Sequence, residues 1–271
     1  MCRTSYRLLS NLGLRYDDIY GSESAFSLRL GIIAMPRVDT VIKLLYGRAF
    51  RAPNYWELYY ALASSGQKAP LNLDAEKIQT YELALEQRLS PQLLAVASLY
   101  HYTIKGLITQ VTDPADGFLV FQNTDTINTD GIDFEMQGKW SWIEGRVSVA
   151  YQQAKNQQTG LTLSNSPKNL VKLNLIAPLW RERLSLGLET QYVSRRTGES
   201  SSGNAADVAG YALTNLTLLH KNESEGVEVS AGVRNLFDRH YSAPTSLDDL
   251  PQIQAIPQDG RTYWIKLAYR F

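Results

Sequence analysis

The sequence predicts an all-β fold, a transmembrane antiparallel β-barrel of about twelve meandering strands. Three observations carry that expectation. In the closing segment, Tyr263, Ile265, Leu267, Tyr269 and Phe271 fill the odd positions while Thr262, Trp264, Lys266, Ala268 and Arg270 fill the even ones. Side chains of a strand point alternately to its two faces, so this segment has one apolar and one mostly polar face, and it ends on a bare aromatic. A strand facing lipid places Tyr and Phe at the membrane–water boundary. The second observation is that the same period of two recurs along nearly the whole chain. The third is that the connections alternate short and long, as in a barrel whose function lies on one rim.

The elements follow in order. Tyr6, Leu8, Leu12, Leu14 and Tyr16 share a face opposite Arg7, Asn11, Arg15 and Asp17. Phe26 to Ala34 repeats the pattern, as do Ile42, Leu44 and Tyr46, and Tyr81 to Leu89 alternates with Glu82, Glu86 and Arg88. Leu93 to Leu107 is apolar on both parities, with Tyr100, Tyr102 and Ile104 favouring the even set as the outward one. Ile132, Phe134, Met136 and Trp140 face away from Asp133, Glu135 and Lys139. Val147 to Tyr151, Val171 to Leu175 and Leu184 to Tyr192 continue the series. Tyr211 to Asn222 is less decisive, and Val227 to Val233 leads to the final strand. Tight turns are expected at Pro36 to Asp39, Ser90 to Gln92, Ser141 to Gly145, Pro178 to Arg183 and Asn222 to Gly226. Long connections are expected at Arg51 to Lys77, Thr109 to Ile127, Arg196 to Ala209 and Asp238 to Gly260, with a middling one at Asn156 to Pro167. The C-terminus then lies on the short-turn, periplasmic side. No helix of substance and no linker is expected, so residues 1–271 read as one unit.

Composition narrows the classes. Lys+Arg and Asp+Glu number 27 each, for a net charge of +0, which leaves no footprint for nucleic acid. The most apolar stretch, Leu170 to Trp180, is broken by Lys172, Asn174 and Pro178, short of the run a membrane helix needs. Sixteen tyrosines against seven phenylalanines is an excess of rings suited to the headgroup layer. The single cysteine, Cys2, has no internal disulfide partner. Residues Met1 to Tyr6 lack the pattern of an export signal, so an outer-membrane location leads one to expect a mature-numbered piece or a truncated or decayed gene.

Several stretches resemble the C-terminal barrel of TonB-dependent outer-membrane receptors. They are Gly47-Arg48-Ala49-Phe50-Arg51-Ala52-Pro53 with Glu57-Leu58-Tyr59; Asn235-Leu236-Phe237-Asp238 with Tyr241; and Pro257 to Thr262 with Gly260 and Arg261, running into Tyr269-Arg270-Phe271. The resemblance implies the C-terminal part of a 22-stranded barrel whose plug domain and earlier strands are absent from this sequence. It implies uptake of a large scarce nutrient, a ferric siderophore being favoured over haem, cobalamin or a copper chelate. The implied partners are outer-membrane lipid, a small-molecule metal chelate, the TonB complex through an N-terminal region, and the barrel-insertion machinery through the last strand. No cofactor, resident metal or nucleic acid is implied. A rival reading is a self-contained small barrel acting as a passive pore or adhesin, which would pair the first strand with the last.

The candidate ligand contacts are Arg48, Arg51, Tyr55, Trp56 and Tyr59, with Tyr60 beside them, and Tyr241 near Asp248 and Asp249 in the last long loop. Aromatic rings would stack on a ligand and guanidinium groups would meet its acidic groups. The same residues equally fit rim aromatics with arginines paired to lumen carboxylates. Charges at Glu82, Glu86, Arg88, Asp133, Glu135, Lys139, Glu189 and Arg234 are expected to line the interior. No enzyme is expected: His101, His220 and His240 fall on separate elements outside any zinc motif, and Gly198 to Gly203 misses the spacing of a nucleophile elbow.

Overall fold

A computed structural model of the chain describes residues 6–18, 24–62, 64, 66–180, 183–198, 207–222, 226–244 and 255–270. The strands are β1 (Arg7–Asp17), β2 (Ala25–Arg37), β3 (Thr40–Arg51), β4 (Glu76–Ser90), β5 (Leu93–Thr112), β6 (Leu119–Lys139), β7 (Glu144–Asn156), β8 (Asn169–Pro178), β9 (Leu184–Val193), β10 (Arg196–Thr197), β11 (Asp207–Val208), β12 (Tyr211–Asn222), β13 (Val227–Arg234), β14 (Ser242–Pro244), β15 (Ala255–Pro257) and β16 (Thr262–Tyr269). One short helix, α1 (Tyr55–Tyr59), follows β3. Twelve strands form one sheet in the order β1-β2-β3-β4-β5-β6-β7-β8-β9-β12-β13-β16, while β10 pairs with β11 and β14 with β15. In that order β1 neighbours β2 alone and β16 neighbours β13 alone.

The chain divides into two compact units, Met1–Leu85 with Ser98–Gly131 and Gln153–Leu163, and Glu86–Ala97 with Ile132–Gln152 and Ser164–Phe271. In the first, the register of β1 on β2 sets Leu12 against Leu30, Leu14 against Leu28 and Tyr16 against Phe26, while Asn11 meets Gly31 and Arg15 meets Ser27. Across β2 and β3, Leu30 meets Tyr46 and Ile32 meets Leu44. Like side chains therefore face like, and the apolar face is continuous over the three strands. The ambiguous β5 resolves through its polar contacts: His101 Nδ1 lies 2.8 Å from Asp130 and Thr103 donates to Asn128 at 2.8 Å. That leaves the even set, with Tyr100 stacked on Tyr102, on the opposite face. Tyr100 fills the notch at Gly131, where an added Cβ would lie 2.2 Å from its ring.

In the second unit the final hairpin pairs Val229 with Leu267, Ala231 with Ile265 and Val233 with Tyr263 on one face, and Ser230 with Lys266 and Arg234 with Thr262 on the other. Register also settles β12, whose Leu216 and Leu218 stand opposite Leu188 and Leu186 of β9 and opposite Val233 and Ala231 of β13. Its even positions carry the apolar face. Ile265 is 78% exposed and Leu267 72%, and no second layer covers them among the described residues. A wide exposed apolar face without a covering layer is what hydrocarbon, rather than water, leaves in contact with a sheet.

Four features differ from the sequence expectation. The connection expected over Thr109 to Ile127 is only residues 113–118, because β5 and β6 continue past the alternating region. Polar side chains there still pair across the ladder, as between the hydroxyls of Thr109 and Thr124 at 2.7 Å, so the loss of alternation reports the end of lipid rather than of the strand. The segment from Arg51 to Lys77 contains α1. The two other long connections contain the small β10–β11 and β14–β15 pairs. Three tight turns stand where expected, residues 38–39, 91–92 and 140–143 each joining two strands, while those at Pro178 to Arg183 and Asn222 to Gly226 lie partly outside the described residues.

Two measurements test this layout. Replacing Ile265 by Arg should lower unfolding stability in lipid vesicles by about 2–4 kcal/mol if its neighbours reach the bilayer midplane, and Lys266→Arg should leave it unchanged. Gly226 has φ +65 and an added Cβ would meet the Arg270 carbonyl at 2.5 Å, whereas Gly47 faces open space. Gly226→Ala should therefore cost roughly 2 kcal/mol or more in urea unfolding, and Gly47→Ala under about 0.5.

Candidate functional site

The segment after β3 is tied down at points along its whole length, all in the first unit. At its start, Asn54 caps α1: its side chain accepts from the Glu57 N–H at 2.9 Å, and the Glu57 carboxylate accepts from the Asn54 N–H at 2.7 Å. This reciprocal box satisfies two donors that a helix start leaves free. Arg51 binds the same Glu57 carboxylate at 2.9 and 3.0 Å and holds Glu76 of β4 through two further bonds of 2.7 and 2.8 Å. Glu76 Oε1 also accepts the Ile108 N–H at 2.9 Å. The arginine thus bridges the end of β3, the helix and the start of β4, with both glutamates largely shielded from water.

Further along, the Lys68 N–H donates to the Leu119 carbonyl at 2.9 Å and the Leu119 N–H to the Gly66 carbonyl at 2.7 Å, laying the segment against the start of β6. Gln110 Nε2 donates to the Gln67 side chain. Lys68 Nζ reaches Asp113 at 2.5 Å and Asp116 at 2.7 Å in the β5–β6 turn. That turn is braced from within, Asp113 accepting the Ala115 N–H and Asp116 the Phe118 N–H. Asn123 supplies the last tie, donating to the carbonyls of Asp74 and Gly106 and accepting the Asp74 N–H at 2.7 Å. Leu73 and Ala75 are buried beside it. A long polar connection is in this way converted into a braced platform.

On that platform Tyr55 is 80% exposed, Trp56 54% and Tyr59 50%. Trp56 stacks on Tyr60 with centroids 3.5 Å apart, and Tyr55 tilts against Tyr59 at 4.7 Å. The two arginines expected beside them are not joined to this group. Arg48 shares the face of Leu44 and Tyr46 and stands opposite Leu28. Arg51, three residues on, points to the other face and is neutralised by two carboxylates. Phe50 is half-buried and Pro53 is buried just before the cap. On α1 itself the exposed groups are rings, its one charged residue, Glu57, being buried and paired with Arg51.

The second expected group lies in the other unit and is a structural corner. Asn235 is buried with φ +51, and Asp238 has φ +52. The Asn235 side chain accepts the Arg239 N–H at 2.8 Å and donates to the Arg239 and Asp259 carbonyls, while its own N–H donates to Asn215 at 2.9 Å. Asp238 Oδ1 accepts the Arg261 N–H at 2.7 Å, and Gly260 leaves room for that carboxylate, since a Cβ there would lie 2.7 Å from it. The motif thus fastens the exit of β13 to the entry of β16. Phe237 is 74% exposed, and Tyr269 is exposed opposite Val227. Tyr241 packs against Tyr211 at 4.5 Å. Burial, with Tyr211 and Asp259 nearby, pushes its phenol above the ordinary value. Phe271, Asp248 and Asp249 lie outside the described residues, as does most of Gly198 to Gly203. Among the charges expected to line the interior, Glu135 lies 3.5 Å from Arg146, Lys139 2.8 Å from Glu144, and Glu189 accepts from Asn215.

Sequence reasoning missed Lys68, Asp113, Asp116, Gln67 and Asn123. The cap Asn54-x-x-Glu57 and the turn Asp113-Pro114-Ala115-Asp116-Gly117 were readable as local signals. Their distant partners were not.

The carboxylates of Asp113 and Asp116 are held below their ordinary range by Lys68 first and by the turn N–H groups second, and Lys68 is raised by Asp113 and Asp116. Acids with lowered values stabilise the tie above their ordinary range and release it as pH falls through the lowered value. A raised lysine releases it only as pH rises above its ordinary 10.5. Proteolysis within residues 66–75 should therefore be flat across neutral pH and accelerate only below the ordinary aspartate value of 3.8, while Lys68→Met should accelerate it at every pH.

Comparison with known proteins gives the following. The family described as "TonB dependent receptor-like, beta-barrel" matches residues 4–236. The vitamin B12 transporter BtuB of Vibrio cholerae is 24% identical over 275 residues, covering 97% of this chain and 40% of that protein. The ferric enterobactin receptor PfeA of Pseudomonas aeruginosa, in complex with enterobactin, superposes with a TM-score of 0.80 at 20% identity, over 96% of this chain and 43% of that one. The FrpB iron transporter of Neisseria meningitidis gives 0.73 at 19%, over 92% and 40%. The chain thus spans about two fifths of the length of the curated relatives it matches.

Proposed function

The chain belongs to the TonB-dependent receptor-like β-barrel family, and on that premise we propose that it is the ligand-collecting barrel portion of an outer-membrane receptor for a large metal chelate, with a ferric siderophore the favoured substrate. The observation that carries this reading is the braced aromatic group on α1. Tyr55, Trp56 and Tyr59 are exposed on a helix fixed by a capping box and by Arg51, so ring surface is held out to solvent without further ordering when a ligand lands. A siderophore whose metal-binding arms are aromatic presents ring faces to such a group. The names of the matched proteins, which mention vitamin B12, iron and ferric enterobactin, fit the same broad class. Energised uptake through TonB is proposed for the full receptor, since the chain spans about two fifths of its curated relatives.

The rival, a self-contained passive barrel, asks β1 and β16 to pair. In the sheet order each has a different single neighbour, so no observation favours it.

The full chain, folded in detergent micelles, should bind ferric enterobactin with quenching of tryptophan fluorescence and should prefer it to cyanocobalamin. Tyr55→Ala with Trp56→Ala should weaken binding about tenfold or more, since each lost stacking contact is worth about 1 kcal/mol. Unchanged affinity in the double variant would remove α1 from the site, and a preference for cyanocobalamin would overturn the siderophore assignment.

A further inference from the structure

A cavity of about 330 Å³ lies in the second unit, where the β10–β11 and β14–β15 connections approach each other. Its lining includes Asp207, Tyr211, Arg239, His240, Tyr241 and Gln258. The volume is at the small end for ligand pockets, room for one ring and a substituent rather than for a whole chelate.

Three features define what fits. The first is ring surface: Tyr211 and Tyr241 are tilted 42° to each other with centroids 4.5 Å apart, and both line the cavity. The second is charge. Asp207 is neutralised by Arg195 at 3.0 Å, whereas Arg239 and His240 are exposed and have no carboxylate partner among the described residues. The guanidinium of Arg196 lies 5.7 Å from the Tyr211 ring centre and bonds the Asn165 amide rather than an acid. Of the two formally charged residues lining the cavity, Asp207 is thus paired and Arg239, among the described residues, is not, so the uncompensated charge there is a guanidinium. A tyrosine pair alone would suit an ammonium group, but this unpaired guanidinium repels a cation and selects an anion. The third is a fixed wall. Both backbone groups of Arg239 are held by the Asn235 side chain, and the Gln258 N–H donates to the Tyr241 carbonyl at 3.0 Å. The Arg239 side chain is therefore presented from a braced backbone, which lowers the ordering cost of binding.

We propose that this cavity binds a single-ring aromatic carboxylate, its ring against Tyr211 and Tyr241 and its carboxylate at Arg239 and His240. The site shares no residue with the α1 group and stands whether or not α1 collects a siderophore.

Benzoate is the probe, titrated into the full chain folded in detergent micelles, with proton line-broadening or calorimetry as readout and far-UV circular dichroism as a check on the strands. Benzoate should bind at least tenfold more tightly than benzamide, which lacks the charge, or cyclohexanecarboxylate, which lacks the ring. Arg239→Gln and Tyr241→Leu should each weaken binding about tenfold, Arg239→Lys should recover part of the loss, and the Tyr55→Ala, Trp56→Ala chain should bind benzoate as the parent does. The assignment is overturned if benzamide binds as well as benzoate, if Arg239→Gln leaves affinity unchanged while the dichroism is intact, or if the folded parent binds ferric enterobactin but not benzoate.

Discussion

Backbone hydrogen bonding in a medium without water governs everything else in this molecule. Each unpaired N–H or C=O in hydrocarbon costs several kcal/mol, so a strand there must have its ladder complete and can vary only in what its side chains present. The register seen in β1–β2–β3 and in β13–β16 is the outcome: Leu faces Leu, Val faces Leu, and the polar partners meet on the other side. A slip by one residue would turn the whole apolar set of a strand away from lipid, which is why alternation and pairing are locked together.

Beyond the apolar band the constraint relaxes and a different set of forces takes over. β5 and β6 continue with polar residues, and the chain between β3 and β4 is no longer held by ladders but by a few multivalent side chains. Arg51 and Asn123 each satisfy partners from two different elements, and Lys68 holds two aspartates of the β5–β6 turn. Such bonds are charge-assisted or doubly made, and each fixes one more part of a segment that local structure alone would leave loose. Asn235 does the same service at the corner before β16.

How much of this was legible in the sequence depends on the range of the interaction. The strands of the lipid band, the tight turns and the outward set of β16 follow from period two and local turn chemistry, and they are found where residues such as Tyr263 and Pro91 place them. The strand pair at 107–112 and 119–127 was hidden because lipid no longer selects one face there, Ile108, Val120 and Ile127 being buried by protein instead. The pairing of β12 was hidden for a simpler reason: its own pattern is mixed, and only its neighbours β9 and β13 decide its face. At the candidate site the aromatics of α1 were readable, but the fate of Arg51 was not, because Glu76 lies 25 residues away and no local rule links them. Arg48 is the converse case, since its opposite facing follows from counting along the strand.

The double aspartate hold on Lys68 also says something about assembly. Its partners are 45 and 48 residues distant, and the turn that presents them exists only once β5 and β6 have paired. Closing so large a loop before that hairpin forms would forfeit chain entropy for no bond in return. The wall must therefore be built first and the strap fastened afterwards, so the braced segment between β3 and β4 is the last part of this unit to take shape.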